Sequence, residues 1–185
     1  MSNYRIYTDG SGHNEKAGAL AIIFKKGNPQ ALKSLTYHLG DLKRHTINDA
    51  KMVSTLLASW LIHTTPGSTW SSFSIYTDSQ ALVQALTRWT TSSGRYLINA
   101  LHSVTDNMCS PLKVNWIPEH SKIKGNVEAD ELAKLAASGQ SSPAMDLPLI
   151  LHNHLPYSAD AEKQTYLQEI KAMWMEQWQG SPRSK

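Results

Sequence analysis

The polar and apolar positions begin in a β period. Residues 4–8, Tyr-Arg-Ile-Tyr-Thr, form a short β-prone run that stops at the turn-forming cluster Asp9-Gly10-Ser11-Gly12. Residues 17–24 are a second, nearly continuous apolar run closed by Lys25-Lys26-Gly27-Asn28-Pro29, and residues 30–39 alternate as a third strand. Connections this short predict an antiparallel meander. The period then becomes helical. Over residues 46–60, Ala50, Val53, Leu57 and Trp60, with Leu56 and Leu61 beside them, share one face, and the pattern ends before Pro66-Gly67. Residues 73–77 predict a fourth strand, and Asp78-Ser79 a cap for a helix reaching Arg88. A polar loop at 90–94, a helix over 96–108, a fifth strand over 112–117 and a helix from a cap at Asn126 to about Ala137 follow. Residues 139–156 lack periodicity and read as a linker. Residues 159–178 form a last amphipathic helix with Tyr166, Ile170, Met173, Trp174 and Trp178 on one stripe, expected to pack on the domain, with docking to an absent part of a larger polyprotein as its competitor. This order predicts an α/β fold with a five-stranded mixed sheet flanked by helices, a domain at 1–138 and a helix with tail at 157–185.

Composition narrows the class. Only 18% of the 185 residues are charged, and 18 Lys and Arg against 15 Asp and Glu leave +3, a mild excess compatible with an anionic partner. The single Cys109 excludes an intramolecular disulfide framework and a Cys-rich zinc site. No run approaches the ~18 apolar residues of a membrane span. The expectation is a soluble, intracellular, monomeric chain that does not engage a membrane. His152-Asn153-His154 lacks further clustered ligands, and the Lys25-Lys26 pair reads as a solvated turn.

Three aspartates stand where such a sheet does chemistry. Asp9 ends the first strand and Asp78 the fourth; if these strands are parallel neighbours, joined by the helix over 46–60, both carboxylates emerge at one carboxyl edge. Adjacent strands lie ~4.8 Å apart, so one divalent ion could be bridged by both acids. Asp130 follows a His-bearing loop and can complete the cluster, whose hard oxygen donors suit Mg²⁺ or Mn²⁺.

The surrounding blocks carry a resemblance. Tyr7-Thr8-Asp9-Gly10-Ser11, then Tyr76-Thr77-Asp78-Ser79-Gln80, then Trp116-Ile117-Pro118-Glu119-His120 with Gly125-Asn126-Val127-Glu128-Ala129-Asp130 resemble ribonuclease H. The blocks look like the domain carried by non-LTR retrotransposon reverse transcriptases, fungal ones in particular, across residues 3–138. The resemblance implies a ribonuclease H-like fold and an endonuclease that cleaves the RNA strand of RNA/DNA hybrids with two Mg²⁺ or Mn²⁺ ions. Asp9, Asp78 and Asp130 match three of the family's four metal-holding acids, and His120 matches a histidine that assists proton transfer or product release. It also implies hybrid contacts from Gly10, Ser11, Gly12, Asn14, Asn48, Gln80 and Asn126, short polar groups suited to 2′-OH reading. The basic handle of some members is abbreviated here to Arg88, Trp89 and Arg95. The remainder of a reverse transcriptase polyprotein is a further expected partner.

One departure dominates. The family's fourth acid is a Glu in the first helix, and Lys51 occupies that place. Asp49 is no substitute, because two residues along a helix turn the side chain by about 200°. Asp9, Asp78, Asp130 and Lys51 together carry −2, enough to balance one divalent ion but not two, so one or none is expected. The ammonium is expected to pin Asp9 or Asp78 in a salt bridge. Glu119 and Lys122 also stand where the family commonly has Gly. The expectation is an endonuclease domain impaired by Lys51, with an inactive hybrid-binding or interaction module as the alternative. A 3′ exonuclease would want Asp-x-Glu on the first strand, where Ser11 follows Gly10, and an integrase would end with Glu instead of the His-to-Asp loop.

Overall fold

The computed structural model describes residues 3–66, 72–87, 95–105, 113–119 and 122–179. Strand β1 (Tyr4–His13) pairs antiparallel with β2 (Lys16–Lys25), and β2 with β3 (Ala31–Asp41). Helix α1 (Ile47–Thr64) follows, then β4 (Phe73–Thr77), which lies parallel to β1 in the register Tyr4↔Phe73 to Thr8↔Thr77. Helices α2 (Gln80–Thr87) and α3 (Arg95–Thr105) precede β5 (Lys113–Trp116), parallel to β4. Helix α4 (Lys124–Ala137), two 3-10 turns (Ala144–Asp146 and Leu149–Leu151) and α5 (Ala159–Gln179) complete the order. The sheet runs β3-β2-β1-β4-β5, the mixed five-stranded arrangement that period and loop length predict.

Both faces of the sheet are covered, which is why β2 reads as an unbroken apolar run. Ala17, Ala19, Ala21 and Ile23 enter the core under α1 and α3, whereas Leu20, Ile22 and Phe24 enter the core under α4. Small residues set the second layer's spacing. Ala129, Ala133, Ala136 and Ala137 are buried in α4, and a Cβ on Gly18 would overlap the α4 backbone at Ala136 and Ala137.

Three local expectations change. The cluster Asp9–Gly12 is strand and not turn: β1 continues to His13, and the reversal falls on Asn14 and Glu15, with φ of 49° and 59°. A two-residue reversal with both φ positive matches the twist of two long paired strands. Asp9 therefore follows the last residue of the parallel pairing with β4 while β1 itself runs on beside β2. Asn126 is not a cap; α4 starts at Lys124, Ile123 holds the cap position without a side-chain bond, and packing of Gly125 against the Tyr7 ring fixes the start.

The third change concerns the C-terminal part. Residues 139–156 are built into the fold: Ser142 N–H donates to Thr36 O (2.9 Å), His38 N–H donates to Ser141 Oγ (2.8 Å), and Trp60 Nε1 donates to Asp146 O (2.9 Å). The first two bonds cover the free edge of β3, the edge a sheet must protect, and the third ties the segment to α1. Leu147, Leu151 and Leu155 join the α1-side core. That layer is thereby filled, and the stripe of α5 does not pack on the domain. Tyr166, Ile170, Met173, Trp174 and Trp178 are 43–63% exposed, and Ala161 is the buried residue of the helix.

Candidate active site

Asp9 and Asp78 each follow the last pair of the β1–β4 register, Thr8↔Thr77, so they stand side by side at the carboxyl end of that pairing. Gly10 decides what meets them there. A Cβ at Gly10 would overlap the α1 backbone at Ala50 and Lys51, so only a glycine lets the helix descend onto the end of β1. Descent delivers Lys51 to the two acids. Its Nζ donates to Asp78 Oδ1 at 2.8 Å and lies 3.9 Å from Asp9 Oδ1, and the three side chains are 10–14% exposed.

The division of labour among neighbouring polar groups leaves Asp78 free for that contact. Ser79 Oγ, not the Asp78 carboxylate, accepts from Leu82 N–H (3.1 Å) and caps α2. Trp116 Nε1 donates to the carbonyl of Asp78 (3.0 Å), fixing its backbone from β5. Asp49 is consumed elsewhere: it closes a capping box with Thr46 at the start of α1, accepting from Thr46 N–H and Oγ1, both at 2.7 Å. It is buried there and does not replace an acid in the cluster.

Asp9 is electrostatically strained. Burial pushes its carboxyl up to about 6, the Asp78 charge adds to the rise, and Lys51 and the Gly10 N–H (2.8 Å from Oδ1) pull it down. Asp130 also raises it, though more weakly. Asp130 comes from α4 and faces the same groove of about 660 Å³, where Lys134, one turn further on, holds Asp130 Oδ2 at 2.7 Å. Lys134 was not among the expected residues, although the i,i+4 spacing of opposite charges is the sequence signal for such a pair.

Of the expected hybrid-contacting residues, Gly10, Ser11, Gly12 and Asn126 line this groove. Asn48 opens on an adjoining cavity of about 370 Å³ between α1 and α5. Asn14 lies exposed at the hairpin tip and Gln80 exposed at the start of α2, and neither lines the groove. Glu119 and Lys122 line it, with Lys122 at φ 52°, a left-handed conformation in which glycine is at ease. Ile47 and Val127, half-exposed apolar residues that sequence reading did not single out, complete the walls. His120, Arg88, Trp89 and Cys109 lie outside the described residues. His152 Nε2 is within 3.1 Å of Leu147 O in its own turn.

The donor chemistry does not fit a pair of divalent ions. Among the described residues no three His, Cys, Asp or Glu side chains gather closely enough to hold a metal. An ammonium stands between Asp9 and Asp78 instead, and Asp130 is held by Lys134.

Solved structures share this architecture. LC11-RNase H1, isolated from compost by a metagenomic approach and solved in complex with an RNA/DNA hybrid, superposes with a TM-score of 0.61 at 18% identity, over 73% of this chain and 96% of that one. The N-terminal RNase H domain of a Mycobacterium tuberculosis protein gives 0.57 at 18% identity, over 75% and 97%. RNase H1 from Halobacterium salinarum gives 0.57 at 19%, over 74% and 98%. These likenesses show the fold. No curated protein compared with the chain matches it. The family model described as RNase H matches residues 1–138, and on that match the chain belongs to the RNase H family.

Proposed function

We propose that this chain is a ribonuclease H-type domain that engages RNA/DNA hybrids and is impaired in hydrolysing their RNA strand. The carrying observation is the 2.8 Å contact of Lys51 with Asp78, made at the position where the resemblance calls for a fourth carboxylate. A Glu there would add to the acidic cluster; the ammonium neutralises part of it. Cleavage at a phosphodiester needs charge stabilisation aimed at the reacting oxygens. Here the fixed cation is bonded to Asp78 at the place of a carboxylate, and Asp9, Asp78 and Asp130 lack the fourth acid that would make them ligands of two Mg²⁺ or Mn²⁺ ions.

Hybrid engagement is supported by the family match, by the groove that Gly10, Ser11, Gly12 and Asn126 line, and by the solved hybrid complex of LC11-RNase H1. The sequence blocks and the Trp-bearing C-terminal helix further support a domain of the non-LTR reverse transcriptase kind, whose remaining polypeptide would be its partner. The Lys51 contact also favours a second reading, an inactive module that keeps only hybrid binding.

The deciding experiment follows a labelled hybrid with Mg²⁺ and with Mn²⁺, using the chain and Lys51→Glu. Weak internal cleavage by the chain and a clear gain in the variant are expected. No cleavage by either, with binding intact, selects the inactive module. Full activity of the unmodified chain refutes impairment.

A further inference from the structure

We propose that Lys51 acts as a resident cation for substrate binding, so that the hybrid docks over Asp9 and Asp78 without a divalent ion. The proposal rests on the hybrid-binding reading above and deepens it.

Two carboxylates on adjacent strand ends repel a phosphodiester, and a protein must offset them before a polyanion can approach. In this chain the offset is covalently attached. Lys51 lies between the acids, 2.8 Å from one and 3.9 Å from the other, and reaches the groove floor from α1. An ammonium has three donors. Asp78 takes one, Asp9 lies beyond ordinary hydrogen-bond length, and Lys51 lines the groove. A phosphate oxygen can therefore accept from Lys51 while the ammonium stays paired below. The lip of the groove supports the same approach, with Lys122 beside it and neutral Ser11 and Asn126 on the walls. Glu119 and Asp130 are the opposing charges in the same lining and limit the gain.

The position also opposes what a mobile cation would do. A divalent ion bridging Asp9 and Asp78 would have to displace Lys51 from a site where its side chain is 14% exposed. Expelling the ammonium breaks its pairing with Asp78, which is unfavourable. Binding that depends on the resident cation should therefore ignore Mg²⁺.

The test measures hybrid affinity by fluorescence anisotropy at fixed ionic strength, in EDTA and in millimolar Mg²⁺. The proteins are the unmodified chain, Lys51→Arg, Lys51→Met and Lys51→Glu, each checked for folding by circular dichroism. Affinities in EDTA and Mg²⁺ that agree within about twofold for the chain and Lys51→Arg are expected. In EDTA, Lys51→Met and Lys51→Glu should bind roughly tenfold or more weakly, and Mg²⁺ should restore Lys51→Glu. Lys51→Met keeps the test decisive if Lys51→Glu fails to fold. A chain that requires Mg²⁺ overturns the proposal, and so do Lys51 variants that bind in EDTA as well as the parent. Absence of hybrid binding by every protein in every condition overturns the hybrid-binding reading and this proposal with it, an outcome distinct from the other two.

Discussion

Lys51 Nζ is 2.8 Å from Asp78 Oδ1 and 3.9 Å from Asp9 Oδ1, so the ammonium is bonded to Asp78 and only leans toward Asp9. The asymmetry follows from position. Asp9 is tied to the Gly10 N–H at 2.8 Å, whereas the Asp78 side chain is released from capping by Ser79. Two acids that look equivalent in the sequence therefore have different roles in stability, and each predicts a different response to substitution.

Removing the bonded acid should cost stability. Asp78→Asn leaves the Lys51 ammonium, in a site 14% exposed, with a neutral amide oxygen in place of its bonded carboxylate and only the more distant Asp9 to balance its charge. A loss of about 2 kcal/mol is expected, with similar coupling in a double-mutant cycle with Lys51→Met. Urea unfolding of the four proteins of the cycle checks it; additive effects would show that the contact contributes nothing.

Removing the acid that Lys51 does not bond should do the opposite. The Asp9 carboxyl is pushed up to about 6 from an ordinary 3.8, so the folded state holds this proton more tightly than the unfolded chain. The ionised form thus costs stability fully above pH about 6, and the cost is relieved as pH falls from there toward 3.8. Asp9→Asn should raise the melting temperature at mildly alkaline pH and lose that advantage as the pH falls through this window. Thermal scans across the range decide, and an advantage independent of pH would refute the assignment.

The close approach of α1 to β1 makes a third prediction. Gly10→Ala places a Cβ into the helix backbone at Ala50 and Lys51, with no flexible side-chain end to give way. A loss of about 1–3 kcal/mol is expected from overpacking. The shift of α1 should also separate Lys51 from Asp78. A well-folded Gly10→Ala protein with unchanged urea midpoint would contradict the packing argument.

Much of this arrangement was legible in the residues. The β period up to Phe24 and the helical period from Thr46 fixed the element types because both cores are continuous, and the parallel pairing of β1 with β4 followed from the helix between them. What escaped is tertiary. Whether Asp9-Gly10-Ser11-Gly12 turns or continues as strand depends on β2 supplying a partner along its whole length, which local turn chemistry does not encode. Asn126 has the chemistry of a cap, but the Gly125–Tyr7 contact starts the helix earlier. At the site, the residue type at 51 was enough to expect a salt bridge with an aspartate. Which aspartate depends on the Gly10 approach and on the cap at Ser79, neither of which periodicity reports.

The stripe of α5 makes the last prediction. Amphipathic spacing reads as a core face, yet Tyr166, Met173 and Trp174 are 61–63% exposed, because Leu147, Leu151 and Leu155 already cover the α1 layer. Trp174 and Trp178 stack on each other at 5.6 Å. A chain ending at Thr165 keeps Ala161, the buried residue of the helix, and among the described residues loses only exposed ones beyond it. Its unfolding free energy should stay within about 0.5 kcal/mol of the full chain, as for surface changes generally. Among the described residues Trp174 and Trp178 are the most exposed tryptophans, so the truncation should also reduce the fluorescence that acrylamide quenches. A loss of about 2 kcal/mol or more would mean that the stripe packs on the domain in solution, as its spacing alone suggests.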